Sequence, residues 1–278
     1  MAVDEVLLDF VAAGQSPPTL RFYGWSPPAL SLGRFQDASS GIALSLCRER
    51  GWEIVRRPTG GRAVLHDREI TFSIVFPLGL VDFVGVMPSY CMLSRAISAA
   101  LAGVGVCRSA EDRSDRCRGG TGDPPPPGPP LPKSGEGGQG GEDQPRRSRG
   151  GEGSSCFAAT LAPDSGVGGR KLVGAAQVRR GGALLQHGSL LLAVDRSLLA
   201  ALFGEVGPVV SLSELVTELP PREALVDRLA VGLAGALEIT LEAGELTGAE
   251  EKEVAMRLES GERGGTRSPG RRAALDSA

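Results

Sequence analysis

Apolar residues recur along the chain with two periods, and the switches between those periods divide it into elements. Residues 2–13 place Val3, Val6, Leu7, Phe10 and Val11 on one face at helical spacing, which predicts an opening amphipathic helix. Pro17-Pro18 ends that pattern, and two short β-rich runs follow, TLRFYGW and ALSLG, with a second Pro-Pro turn between them. The stretch SSGIALSLCRER, residues 39–50, predicts a helix with a serine cap, a basic last turn and a stop at Gly51. EIVRRPTGGRAVLHDREITFSIVFP then reads as antiparallel strands, EIVRR, AVLH and EITFSIVF, with RRPTGGR as the loop at one sheet end. Pro88 to Val104 predicts a helix.

From about 108 to 155 the pattern collapses into glycine, proline and charge. Nothing there can offset the roughly 1–2 kcal/mol per residue lost on ordering backbone, so a low-complexity, disordered insertion into one domain is expected. Pattern resumes at Cys156, and GRKLVGAAQVRRGGALLQHGSLLLAV reads as strand, glycine turn, strand. Two or three helices are expected between Asp195 and about Ser260, from SELVTEL, REALVDRLAVGLAGAL and EEKEVAMRL. The predicted organisation is a domain over 1–240, interrupted by 108–155, then 241–278 as a short C-terminal helix and frayed tail. The fold class is α/β (α+β), a mixed, largely antiparallel sheet covered by helices on one side.

Composition narrows the chemistry. A formal net charge of −3 over 278 residues supplies no field for nucleic acid or an acidic membrane. No apolar run is long enough to span a bilayer, and the opening MAVDEVLLDF carries acids where a signal peptide needs bases, so a soluble, cytoplasmic chain is expected. Five cysteines without a CxxC pair speak against a disulfide framework or zinc site, and two histidines without an acid cluster are too few for a transition metal.

Two glycine loops could hold a carboxylate, phosphate or thioester oxygen. In RRPTGGRAVLH, Gly60 and Gly61 allow backbone N–H groups close to a ligand, while Arg56, Arg57 and Arg62 add positive charge; GGRK at 168–171 has the same make-up. A tight hairpin with solvated arginines is the commoner use of such a loop. Lys171 fits either a partly dry cleft or a surface hairpin, and His66 and His187 fit either a general base or a buried imidazole satisfying backbone groups. Cys156 alone among the cysteines has a lysine and arginines within a short reach, the setting that favours a thiolate; the other four read as ordinary buried or idle thiols.

RFYGWSPPALSLGRFQ, RRPTGGRAVLHDREITFS and GGRKLVGAAQVRRGGALLQHGSLLL together resemble the three signature blocks of the biotin/lipoate protein ligase superfamily. More narrowly, they resemble its LipM-type octanoyltransferases. The resemblance covers roughly 1–107 and 156–240. It implies a biotin/lipoate ligase-like catalytic domain and, from Cys-Phe fifteen residues before Lys171, an acyl-thioester nucleophile at Cys156 whose pKa Lys171 lowers. It also implies that Arg57, Gly60, Gly61, Arg62, His66, Gln186, His187 and Gly188 line the acyl and thioester site. The implied donor is octanoyl-acyl carrier protein, and the acceptor is the lysine of a lipoyl-domain protein or the glycine cleavage H protein. No cofactor or metal is implied, and a monomer is expected. An ATP-dependent lipoate ligase, an octanoyl amidotransferase and an inactive carrier-binding module are the alternatives.

Overall fold

A computed structural model of the chain describes residues 1–37, 41–80, 86–106, 165–260 and 272–276. Cys156 and the 108–155 insertion lie outside the described residues. Among the described residues, ten strands form two sheets. The larger is antiparallel throughout, in the order β6 (Ser165–Val167), β7 (Arg170–Arg180), β8 (Ala183–Leu191), β5 (Glu69–Pro77), β1 (Thr19–Tyr23), β10 (Arg272–Asp276), β9 (Thr240–Gly244). The smaller orders β3 (Glu53–Arg56), β2 (Ala29–Leu32), β4 (Val64–His66).

The two runs TLRFY and ALSL therefore belong to different sheets. EIVRR, AVLH and EITFSIVF do not pair with one another as the expected antiparallel run: β3 and β4 flank β2 in the small sheet while β5 lies in the large one, and β2 pairs with β3 in parallel because α2 (Leu44–Glu49) carries the chain back between them as a crossover. α2 is also shorter than its sequence pattern. It starts at Ala43 without a side-chain cap and stops before Gly51, which takes φ +67°.

Helices cover both faces of the large sheet, a correction to the single covered face expected from sequence. α3 (Val86–Ala102) and α5 (Arg222–Leu237) pack on the side carrying Ile70, Phe72, Ile74 and Phe76 of β5. α1 (Ala2–Ala12) lays Leu7, Leu8 and Val11 on Val75, Ala183 and Leu185 from the other side. β5 is buried on both faces, with Ile70, Phe72, Ile74 and Phe76 on one and Glu69, Thr71, Ser73 and Val75 on the other. The segment SELVTEL makes only a 3-10 turn at Leu212–Glu214, closed by a Ser211–Glu214 capping box, instead of a helix. α4 (Arg196–Phe203) and α6 (Gly248–Glu259) are the remaining helices among the described residues, and α6 packs against α1. Beyond α6 the chain returns as β10 between β1 and β9, so the C-terminal stretch contributes a strand to the large sheet. Cys47 is buried and free as expected, whereas Cys91 on α3 is disulfide-bonded.

Candidate active site

The hairpin of β7 and β8 turns at Gly181-Gly182, both at positive φ (60° and 85°), a geometry that suits the strand twist and sets Arg180 opposite Ala183. In that register Gly174 lies across from Ser189 and Ala176 across from His187, while Thr71 and Ser73 of β5 flank the same two residues. Small and hydroxylic side chains thus share one patch of the sheet, on the face turned toward the small sheet. The space left by Gly174 and Ala176 is a small, partly open cleft of about 30 Å³, closed from the small sheet by Ser31, Val64 and His66.

The RRPTGG loop seals one end. The Arg34 N–H donates to the Thr59 carbonyl at 2.9 Å and the Arg57 N–H to the Leu32 carbonyl at 3.0 Å, which docks the loop on the exit of β2. Gly33 makes the approach possible, since a Cβ there would lie 1.9 Å from the Gly61 oxygen. Arg57 is buried and knots this contact. Its guanidinium donates to the Ser31 carbonyl and hydroxyl at 3.2 and 3.0 Å, and to the Gly60 and Arg62 carbonyls at 3.0 and 2.5 Å. Arg57 is therefore not part of an exposed rim, as the sequence reading had it; Arg56 is exposed but clasps the carbonyls of Gly33, Arg34 and Gln36.

Two buried networks meet the cleft. In the first, His187 Nε2 lies 2.7 Å from the Thr59 hydroxyl, and Nδ1 lies 3.5 Å from Asp4, too poorly aligned for a hydrogen bond. Asp4 is already held by the Arg21 guanidinium and by the Tyr23 hydroxyl at 2.7 Å. Burial alone would raise the Asp4 carboxyl, but Arg21 and His187 beside it hold it well below the usual carboxylate range. Burial lowers the His187 imidazole, only partly countered by Asp4, so His187 stays neutral.

In the second network the Ser31 hydroxyl lies 2.7 Å from His66 Nε2, and His66 Nδ1 lies 2.7 Å from Glu69 Oε1. Thr71 and Ser189 donate to the same Glu69 oxygen at 2.6 and 2.9 Å. Trp25 stacks on the imidazole, ring centroids 4.4 Å apart and planes at 19°.

Residues 1–233 match the family described as "Lipoyl protein ligase A/B catalytic domain". The octanoyltransferase LipM of Symbiobacterium thermophilum is 35% identical over 275 residues, spanning 94% of this chain and 89% of that one. LipM of Kyrpidia tusciae is 36% identical over 272 residues, spanning 93% and 89%. The chain belongs to the lipoyl protein ligase A/B catalytic-domain family, with the octanoyltransferases LipM. The fold agrees: a crystal structure of lipoate-protein ligase A bound with ATP superposes with a TM-score of 0.69, at 22% identity, over 94% of this chain and 89% of that one.

In this LipM-family chain the structure gathers Arg57, His66, His187 and Gly188 at the cleft, with Gly60, Gly61 and Arg62 in the loop that Arg57 ties down. Only Gly61 of the two loop glycines takes a positive φ, +93°. Gly188 is required by crowding, because a Cβ would meet the Gly174 oxygen at 2.5 Å and the Phe72 ring at 2.6 Å. Gln186 is set apart from the group. It alternates with His187 along β8 and lies opposite Ile74, on the face that packs α3 and α5, and its buried amide makes no hydrogen bond among the described residues.

Lys171 is 1% exposed, not a lysine closing a surface hairpin. Its N–H donates to the Pro208 carbonyl at 2.7 Å and its carbonyl accepts from Val210 at 3.0 Å, which anchors the start of β7 three residues before Gly174. Ser31, Thr59, Glu69 and Asp4 were not singled out from sequence. Asp4 carried a usable signal: it occupies the apolar stripe with Leu7, Leu8 and Val11, where an ionised carboxylate needs a buried partner.

Proposed function

We propose that this LipM-family transferase moves an octanoyl group from octanoylated acyl carrier protein to the lysine of a lipoyl-domain protein or glycine cleavage H protein, through a thioester on Cys156. The observation that carries the reading is the Cys156-Phe157 pair, fifteen residues before Lys171, in a chain whose relatives are octanoyltransferases LipM. Thiolate attack on the donor thioester exchanges one thioester for another, and attack by the acceptor amine then forms a more stable amide. Neither step requires ATP. Lys171, inside the protein at the head of β7, would favour the thiolate through its charge.

Intact-mass measurement after mixing the chain with octanoyl-acyl carrier protein tests the reading. One octanoyl increment is expected, mapping to Cys156 and absent in Cys156→Ala, which should also abolish transfer to a lipoyl domain. Transfer that survives Cys156→Ala and depends on ATP and free octanoate would point instead to a ligase; an unmodified chain that still binds carrier protein would point to an inactive binding module.

A further inference from the structure

Phe35 is 86% exposed, the most exposed large apolar side chain among the described residues, and the backbone around it is braced to keep it there. Parallel pairing of β2 and β3 sets Arg56 beside Leu32, at the exit of β2. From that position its Nη1 reaches the carbonyls of Gly33, Arg34 and Gln36 at 2.7, 3.1 and 3.0 Å, on both sides of Phe35. The Gln36 N–H closes a turn on the Gly33 carbonyl at 3.0 Å, and the Arg34 N–H ties that turn to the Thr59 carbonyl at 2.9 Å. The Arg34 guanidinium stands over the Phe35 ring, 5.4 Å from its centroid. Backbone ordered in advance lowers the cost of association, and aromatic and arginine side chains are the ones that dominate protein–protein contacts.

Charge and position define what would sit there. Arg34 and Arg56 are exposed, and neither forms an ion pair among the described residues; the acid of this loop is Asp37. The turn is thus locally positive on a chain whose net charge is −3, so it attracts an acidic surface that the molecule as a whole repels. Phe35 does not line the cleft: Ser31 does, and Gly33, between the two, abuts Gly61 of the loop that seals it. A partner on Phe35 therefore sits beside the cleft. A lysine offered on its own four-carbon stem needs its domain directly over the site, whereas an acyl group on the long pantetheine arm of a carrier protein does not. Building on the acyl-carrier reading above, we propose that the Arg34–Phe35 turn, braced by Arg56, is the docking surface for the acidic face of octanoylated acyl carrier protein. Phe35 is its apolar anchor, and Arg34 and Arg56 are its charged rim.

Binding and chemistry can be read separately. Affinity is measured by calorimetry with holo-acyl carrier protein, which has the arm but no acyl group. Loading is followed by mass from octanoyl-acyl carrier protein and from octanoyl-pantetheine, a thioester without the protein, and the isolated adduct is then offered to a lipoyl domain. Phe35→Ser and Arg34→Glu should each weaken carrier binding at least about 10-fold and slow loading from subsaturating octanoyl-acyl carrier protein by the same factor. Loading from octanoyl-pantetheine and transfer to the lipoyl domain should stay within about twofold of the unaltered chain. Added salt should weaken carrier binding by the unaltered chain more than by Arg34→Glu. Unchanged carrier binding in both variants overturns the proposal, as does the absence of carrier binding by the unaltered chain. A loss confined to lipoyl-domain transfer gives the surface to the acceptor, and an equal loss with octanoyl-pantetheine shows damage to the site itself; either result overturns it too. An unaltered chain that binds carrier through Phe35 but forms no adduct overturns the acyl-enzyme reading and leaves the docking surface standing.

Discussion

Asp4 and His187 show how single buried groups tie the stability of this transferase to acid. Asp4 is ionised and encased, with Arg21 as its counter-charge. Replacing it by alanine leaves the guanidinium buried without a partner, and Asp4→Ala should cost about 3–5 kcal/mol in denaturant unfolding. The Asp4 carboxyl lies lower in the folded than in the unfolded chain, so the unfolded chain binds the proton first. Its contribution is complete above the unfolded carboxylate pKa of about 3.9 and is lost as pH falls below it. The His187 imidazole is also lowered on folding, so its contribution is present above the unfolded value of about 6.5 and is lost below that. Stability against pH should therefore decline in two stages, and His187→Gln should flatten the first, between about pH 6.5 and 5, while leaving the second in place. An unchanged profile in His187→Gln would show that the imidazole carries no such linkage. The histidines and Arg57 were legible as residues of interest; their partners were not, because Asp4 and Glu69 arrive from other elements.

At the level of elements, the crossing of α3 and α5 depends on one small residue. A Cβ on Gly232 would lie 2.5 Å from the Ala100 Cα and 2.8 Å from its Cβ. In an isolated helix, alanine is better than glycine by about 1 kcal/mol. Here the sign should reverse, since the two helices must separate to admit the methyl group. Gly232→Ala should destabilise by about 1–3 kcal/mol, read as a fall in melting temperature, whereas Gly235→Ala, one turn on with nothing within 4 Å of the new Cβ, should not lower it. Periodicity alone located α1, α3, α5, α6 and the β7–β8 hairpin, because each is amphipathic or bounded by glycine. It misassigned SELVTEL, where the Ser211–Glu214 capping box closes a single 3-10 turn and the apolar residues pack without a helix. It also missed the parallel pairing of β2 with β3, since a strand's own alternation says nothing about the direction of its neighbour.

On the scale of the whole molecule, the chain ends are part of the sheet that carries the cleft. β1 pairs with β5 on one side and with β10 on the other, and β10 in turn holds β9. Ending the chain at Ser260 would leave both β1 and β9 with an unpaired edge; the truncated protein should melt at lower temperature and aggregate more readily, measurable by scanning calorimetry and light scattering. A melting temperature equal to that of the full chain would mean that β10 adds nothing to the sheet. The amino-acid sequence by itself determined the alternating strands, the glycine turns, the amphipathic helices and the three blocks that place the chain with the octanoyltransferases, because these are local patterns of residue type and spacing. Only the tertiary structure decided that Ser31, His66 and Glu69 form one array, that Asp4 of the first helix lies beside His187, and that Gln186 faces away from its neighbour. Those relations depend on strand register and on which face each sheet turns to the other, quantities fixed by packing between residues as far as 183 positions apart, from Asp4 to His187.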